Sequence, residues 1–221
     1  MSEKIRSGNE LIAREGYWFI IPLAFISISC FILDLVQSGA FFFLLALFCI
    51  WFFRNPERSI PETDKIDRAI VSPADGRIIK IEEIHESAVL NERCLKISIF
   101  MNIFDVHVNR IPFSGKIEDI QYKKGSFLSA NLDKASDQNE KNLIVLKTSE
   151  NKKIIFVQIA GLIARRIICW ISKGMEVRQG DRFGLICFGS RVDMLIPVNT
   201  ELNVKLGDRV RSGGTIIGWL L

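Results

Sequence analysis

Hydrophobic positions fall into two regimes along the 221 residues. In "YWFIIPLAFISISCFIL" (Tyr17–Leu33) and "GAFFFLLALFCIWFF" (Gly39–Phe53) they run almost without interruption, with Asp34, Gln37 and Ser38 between the two runs. After Arg54 the pattern changes to short stretches rich in β-branched residues: Arg77–Ile84, Cys94–Met101, Leu143–Ser149, Lys153–Ala160 and Ile167–Ser172. Long runs without a polar face predict apolar helices, and short runs bounded by turn residues predict strands. The expected architecture is mainly β (α+β), a barrel or sandwich domain with two pseudo-related halves, preceded by an N-terminal hydrophobic helical hairpin. Pro56, Pro61 and Pro73, set among charges, mark the entry into the β region. The expected division is a membrane-associated hairpin over 1–53 and a second domain over 54–221.

The pseudo-related halves are read from two echoes. "PADGRIIKIEEI" resembles "PFSGKIEDI" (Pro112–Ile120), and "RQGDRFG" (Arg178–Gly184) resembles "KLGDRVRSGG" (Lys205–Gly214). Each has a turn glycine followed by a strand-like run. The second echo also resembles the turn of biotinyl and lipoyl carrier domains, but the Met-Lys-Met of those domains is absent. Ser129–Asn142 is polar without apolar periodicity and is expected to be a loop, a candidate lid.

The apolar runs hold 17 and 15 residues, which reach about 23–26 Å at a rise of about 1.5 Å per residue. The hydrocarbon core of a bilayer is about 30 Å thick, so flanking residues or local thinning must close the gap. A pair of short spanning helices and a re-entrant hairpin both fit. Lys4, Arg6 and Arg14 precede the hairpin, Arg54 and Arg58 follow it, and the connecting loop has no Lys or Arg. The positive-inside rule then places both ends in the cytoplasm, with the chain held at the cytoplasmic face of the cell membrane. Tyr17, Trp18 and Trp51 occupy interfacial positions.

The net charge of +4 is too dilute to point to nucleic acid and suits an anionic lipid surface. The five cysteines (Cys30, Cys49, Cys94, Cys169, Cys187) form no CxxC pair, and only His85 and His107 accompany them. Reduced, buried thiols are the expectation, and no metal site is expected.

Three residues stand out for chemistry. His107 lies in "FDVHVNRIP", where Asp105, His107 and Asn109 alternate against Phe104, Val106 and Val108, which predicts a strand with His107 on its more polar face. Asp75 lies in "SPADG", which by itself is ordinary turn chemistry. Ser190 follows Gly189 and precedes Arg191. A Ser-His-Asp set is conceivable, but the G-x-S-x-G elbow of a conventional hydrolase is absent. A Gly-Ser bond also suits attack by the serine hydroxyl on the preceding carbonyl, since glycine has no Cβ to obstruct it. The residues alone leave a plain turn and a self-cleaving bond both open.

The ordered blocks "FFRNPERSIP", "VSPADGRI", "FMNIFDVHVNRIP", "GSFLSANLDKASDQNEKN", "QIAGLIARRI" and "GDRFGLICFGSRVDMLIP" resemble the phosphatidylserine decarboxylase proenzymes of the short bacterial kind. The resemblance implies cleavage between Gly189 and Ser190 into chains 1–189 and 190–221, which stay together as a heterodimer and can build higher homo-oligomers. It implies a pyruvoyl group made from Ser190, without pyridoxal phosphate or metal. That group would decarboxylate phosphatidylserine to phosphatidylethanolamine through a Schiff base. It implies self-processing by Asp75 and catalysis by His107. Longer relatives carry "DxHxxHxP", and Arg110 stands here at the second histidine. Arginine is not a neutral base, so either His107 serves both steps, the favoured reading, or Asp75 acts more directly. Arg165, Arg166 and Arg191 are candidates for holding the lipid's phosphate or carboxylate. The alternatives are a decarboxylase of another serine-headed lipid, of the archaetidylserine type, and a non-enzymatic, membrane-tethered carrier-like β domain.

Overall fold

The computed structural model describes residues 10–86, 89, 91–126, 138–162, 166–187 and 190–221. The chain divides into two compact units, the first ending at Glu57 and the second running from Arg58 to Leu221.

The first unit is a helical hairpin of α1 (Tyr17–Ile32) and α2 (Val36–Phe52). Asp34, in the left-handed region with φ of 58°, turns the chain between them. Ser27 Oγ donates to the carbonyl of Gly39 at 2.9 Å, so the one buried polar side chain of α1 is satisfied on α2. The hairpin is closed at its base: Ala13 N donates to Phe53 O at 2.8 Å, and Asn55 N to Leu11 O at 2.8 Å. Both ends therefore emerge on the same side of the hairpin. Trp18, Phe25, Ile32 and Leu44 are all exposed. Residues 14–32 are long and apolar enough to cross a membrane, while α2 is a shorter apolar helix.

The second unit is built on a curled sheet of eight strands, in the order β13-β2-β3-β11-β7-β6-β5-β9. These are β2 (Gly76–Glu86), β3 (Glu92–Met101), β5 (Gly115–Lys123), β6 (Lys141–Lys147), β7 (Lys153–Ala160), β9 (Glu176–Val177), β11 (Ser190–Pro197) and β13 (Arg209–Val210). A three-stranded sheet holds β4 (Val108–Arg110), β10 (Arg182–Cys187) and β8 (Arg166–Cys169). A third holds β1 (Ala69–Val71), β14 (Ile216–Trp219) and β12 (Glu201–Leu202). The fold is thus mainly β with N-terminal helices.

The two echoes in the sequence are two equivalent structural pieces. Strands β2 and β5 each begin at the glycine of their Pro-x-x-Gly segment, Gly76 and Gly115. Each has a register shift at the same distance into the strand, between Ile78 and Lys80 and between Ile117 and Asp119. Each carries a short edge partner, β13 or β9. The two Gly-Asp turns match as well: Asp181 accepts from Arg178 N, and Asp208 from Lys205 N, both at 2.9 Å. Gly180 and Gly207 have φ of 83° and 91°, which a side chain would resist. The sheet therefore reads as two four-stranded halves that meet where β11 pairs with β7.

Alternation along the central strands gives the sheet two different faces. Inward, Ile97, Ile99, Phe156, Val192, Met194 and Ile196 join Phe183 and Ile186 of the second sheet in one core. Phe156 and Phe183 meet edge to face at 4.8 Å, fixing β7 against β10. Outward, Val157, Ile159 and Leu195 form a smaller cluster, and Arg191 and Asp193 share this face.

Candidate active site

One end of the curled sheet gathers the candidate residues. Strand β2 starts just after Asp75, β3 ends at Met101, β7 ends at Ala160 and β11 starts at Ser190. Ser190 pairs with Met101 on one side and Ala160 on the other, while Phe100 pairs with both Arg77 and Arg191. Asp75 and Ser190 thus flank the end of β3. At about 4.8 Å per strand their backbones are about 10 Å apart.

Ser190 is fully buried on the inner face, and its Oγ meets Met101 Sδ at 3.3 Å. The preceding strand, β10, ends at Cys187 in the other sheet, whereas β11 begins at Ser190 in the eight-stranded sheet. Gly189 lies outside the described residues, as does Arg165. The expected lid, Ser129–Asn142, also falls largely outside them, though its flanks Ser126 and Asn139 are bridged and Asn139 Nδ2 donates to the Ala160 carbonyl at 2.7 Å.

His107 stands just before β4 rather than within a long strand. Asn102–Asp105 form a tight turn in which Asp105 accepts from Asn102 N and Asn102 from Phe104 N. The alternation over Phe104–Pro112 therefore produces only a three-residue strand, and Val106–Arg110 are all buried. The polar positions of this segment face protein, not solvent. His107 Nδ1 lies 3.0 Å from the carbonyl of Asp105. A carbonyl only accepts, so Nδ1 carries the proton and Nε2 is the lone-pair nitrogen of the neutral ring. The carbonyl of His107 receives Ile186 N at 3.4 Å, which sets His107 beside the part of β10 that leads to Ser190.

Asp75 is buried and held from both sides. Its Oδ1 accepts from Ser212 N at 2.7 Å and its Oδ2 from Arg58 Nη2 at 3.0 Å. Two donors on an acceptor-only group are what an ionised carboxylate requires. Ser212 Oγ and Arg110 N both donate to Pro73 O, at 3.2 and 2.9 Å, so the turn carrying Asp75 is pinned. Arg110 also donates from Nη1 to the carbonyl of Gly180 at 2.8 Å. The residue standing at the second histidine of longer relatives is here part of the scaffold around Asp75.

Arg166 is exposed at the start of β8, with its backbone paired to Cys187. Arg191 points to the outer face, 2% exposed, and grips Asp193 through Nε at 2.8 Å and Nη2 at 3.2 Å. Lys96 Nζ adds a second cation 3.6 Å from Asp193. Burial pushes the Cys169 thiol up, outweighing hydrogen bonds to Ile171 and Asn142 that pull it down. It remains a protonated thiol rather than a nucleophile.

Several residues at this end escaped the reading of the sequence. Arg58 sits in a proline-rich segment that reads as a linker, and Ser212 in what reads as a turn. Gln158 and Asn142 are single polar residues within apolar strands, and their signal was that interruption. Asn109 Oδ1 accepts from Gln158 Nε2 at 3.0 Å, and Gln158 Oε1 from Asn142 Nδ2 at 3.0 Å.

A β domain with a buried serine, imidazole and carboxylate at one sheet end, joined to an apolar helical hairpin, defines the class of protein to which comparison can be made. The phosphatidylserine decarboxylase family profile matches residues 45–218. A phosphatidylserine decarboxylase proenzyme of Syntrophus aciditrophicus is 48% identical over 211 residues, covering 95% of this chain and 98% of its own length. Proenzymes of the same description from Desulfotalea psychrophila and Geotalea uraniireducens are 47% and 44% identical, covering 95% and 98% of this chain and 97% and 100% of their own lengths. The chain belongs to the phosphatidylserine decarboxylase family.

Proposed function

We propose that the chain cuts itself before Ser190 and then decarboxylates phosphatidylserine to phosphatidylethanolamine in phospholipid synthesis. The observation that carries this reading is the position of Ser190: it heads the central strand β11, clamped between Met101 and Ala160. A break before it leaves it in place.

The self-cleavage is written as follows. His107 Nε2 takes the proton of Ser190 Oγ, which adds to the carbonyl carbon of Gly189. His107 hands that proton to the nitrogen as the carbon–nitrogen bond breaks, leaving a free amine on residue 190 and an ester that links Gly189 to Ser190 Oγ. Loss of the Cα proton of residue 190 then breaks the Cβ–Oγ bond, and Gly189 leaves as a carboxylate. The remaining enamine tautomerises, water adds, and ammonia departs to leave a pyruvoyl group. Asp75, pinned at the same sheet end by Ser212 N and Arg58, is the carboxylate assigned to this processing.

The pyruvoyl ketone would supply an electrophile for the substrate amine and an electron sink for the pair left when CO2 departs. The surroundings fit such a group: Ser190 is buried, and its Oγ and the Asn109 amide both approach Met101 Sδ. His107 returns a proton to the substrate carbon. Arg166, exposed beside Cys187, and Arg165 attract the lipid's phosphate or carboxylate, while Arg191 holds Asp193 instead. The cleaved chains 1–189 and 190–221 remain one heterodimer, since β11, β13 and β14 of the small chain pair with β3, β7, β2 and β1 of the large one.

The hairpin keeps the enzyme at the membrane that holds its substrate. Each buried CH2 of a lipid tail is worth about 0.8 kcal/mol, so a diacyl lipid stays in the bilayer and the enzyme must come to it. Arg14 and Arg54 at the hairpin base favour the cytoplasmic face of the inner membrane.

The test supplies phosphatidylserine vesicles to the purified protein and traps the bound substrate with cyanoborohydride. Release of CO2, formation of phosphatidylethanolamine and an adduct on chain 190–221 are expected. No CO2 from this lipid, or an adduct on another part of the chain, contradicts the reading.

A further inference from the structure

On the central strands β6 and β7 the inward-facing positions are mostly apolar and turn polar toward the end that holds Ser190. Strand β7 presents Ile154, Phe156, Gln158 and Ala160 inward, and β6 presents Asn142, Ile144 and Leu146. Asn142 is the cross-strand partner of Gln158, which in turn faces Val192 of β11. Asn109 of β4 completes the group from the second sheet. All three amides are buried, with Gln158 and Asn109 at 0% exposure.

In the structure the three amides are oriented in one direction along the chain of hydrogen bonds. Asn142 donates to Gln158 Oε1, so Gln158 directs its NH2 to Asn109 Oδ1. Asn109 must then direct its own NH2 away from Gln158. That NH2 meets Met101 Sδ at 3.7 Å, the same sulfur on which Ser190 Oγ converges at 3.3 Å. A thioether is a weak acceptor. A buried, oriented amide donor is thus spent on a poor partner shared with the reactive hydroxyl.

We infer that Asn109 is the hydrogen-bond donor for Ser190 Oγ, held in that orientation by Gln158 and Asn142. Its NH2 turns from the sulfur to Oγ when that oxygen gains negative charge. This happens twice during self-cleavage: when the hydroxyl proton leaves for His107, and when the Cβ–Oγ bond breaks and Oγ departs within the Gly189 carboxylate. A preset donor needs no reorganisation at either moment, which is what makes such donors effective. Asn109 is a catalytic residue on this assignment; Gln158 and Asn142 are positioning residues.

The inference rests on the proposed self-cleavage, and the test separates the two. Full-length chains carrying Asn109→Asp, Asn109→Ser or Gln158→Met are synthesised in a pulse and followed as they split. Asn109→Asp keeps the shape without the donor, and its processing should slow about 100-fold, the usual loss for one such donor. Gln158→Met frees the Asn109 amide to turn and should slow processing about tenfold, a part of the same donor loss. Folded, slow variants should collect the ester, detected as hydroxylamine-induced cleavage before Ser190; a merely structural lesion gives no such ester. Any folded variant of Asn109 processed at the unaltered rate overturns the assignment, as does slowing without hydroxylamine-sensitive chain. If the unaltered chain never splits, the self-cleavage reading itself is at fault.

Discussion

Asp75 Oδ1 accepts the backbone N–H of Ser212 at 2.7 Å, so the aspartate on one side of the Gly189–Ser190 bond is held by a residue on the other side. Arg58, from the segment following the hairpin, holds Oδ2 at 3.0 Å. The carboxylate is therefore clamped by two other stretches of the chain, and this end of the sheet is assembled only when both have folded onto it.

Arg58→Gln should weaken this clamp. Hydrogen bonds to a charged group contribute about 1.5–3 kcal/mol, and the side chains of this pair are only partly exposed. We expect a folded protein, less stable in urea by about 1–2 kcal/mol, whose splitting is slower than that of the unaltered chain. Normal splitting with unchanged stability would remove Arg58 from the account.

His107→Gln preserves approximate size but provides no base. The splitting of newly made chains should fall by at least 100-fold, in the range removed with a general base. If splitting is slow rather than absent, the small amount of mature enzyme should show reduced turnover per pyruvoyl group. Full turnover in that fraction would assign proton return to a different residue.

Arg191 and Asp193 form a buried pair on the outward face. Asp193→Ala leaves a buried guanidinium without its partner and should cost about 3–5 kcal/mol. Arg191→Met with Asp193→Leu removes both charges and should restore most of that loss, measured by urea unfolding. Lys96 also approaches Asp193, so the double variant should keep a small deficit. Equal losses in the single and double variants would contradict a structural pair.

Phe25 and Leu44 are exposed on the two helices. Replacing both by Asp should release the protein from the membrane fraction, since each buried charge opposes insertion by about 2.5–3.5 kcal/mol. Splitting before Ser190 should proceed as before, because none of the residues described at the site lies in the hairpin. Retention on membranes after carbonate washing would argue against lipid burial of these faces.

Much of the fold was legible because it rests on local pattern. The apolar runs became α1 and α2, and the β-branched runs became β2, β3, β6, β7 and β8 with boundaries shifted by a few residues. The echoes were legible because turn chemistry is local: Asp181 and Asp208 cap equivalent turns. The polar pattern around His107 misled because burial on both faces of β4 is a tertiary fact. Arg58, Gln158 and Asn142 were illegible for the same reason. Nothing in "RNPER" or in a lone glutamine says which distant side chain will lie against it. Arg191 stands one position after Ser190, and only the alternation of β11 shows that the two face opposite ways.

The central claim is tested most directly by the intact mass of the purified protein. The account predicts two chains that elute together under native conditions and separate on denaturation, the smaller beginning at position 190 with a ketone in place of an amine. Ser190→Ala should yield one uncut, inactive chain. An active preparation consisting of a single unbroken chain with an ordinary serine at 190 would contradict the account.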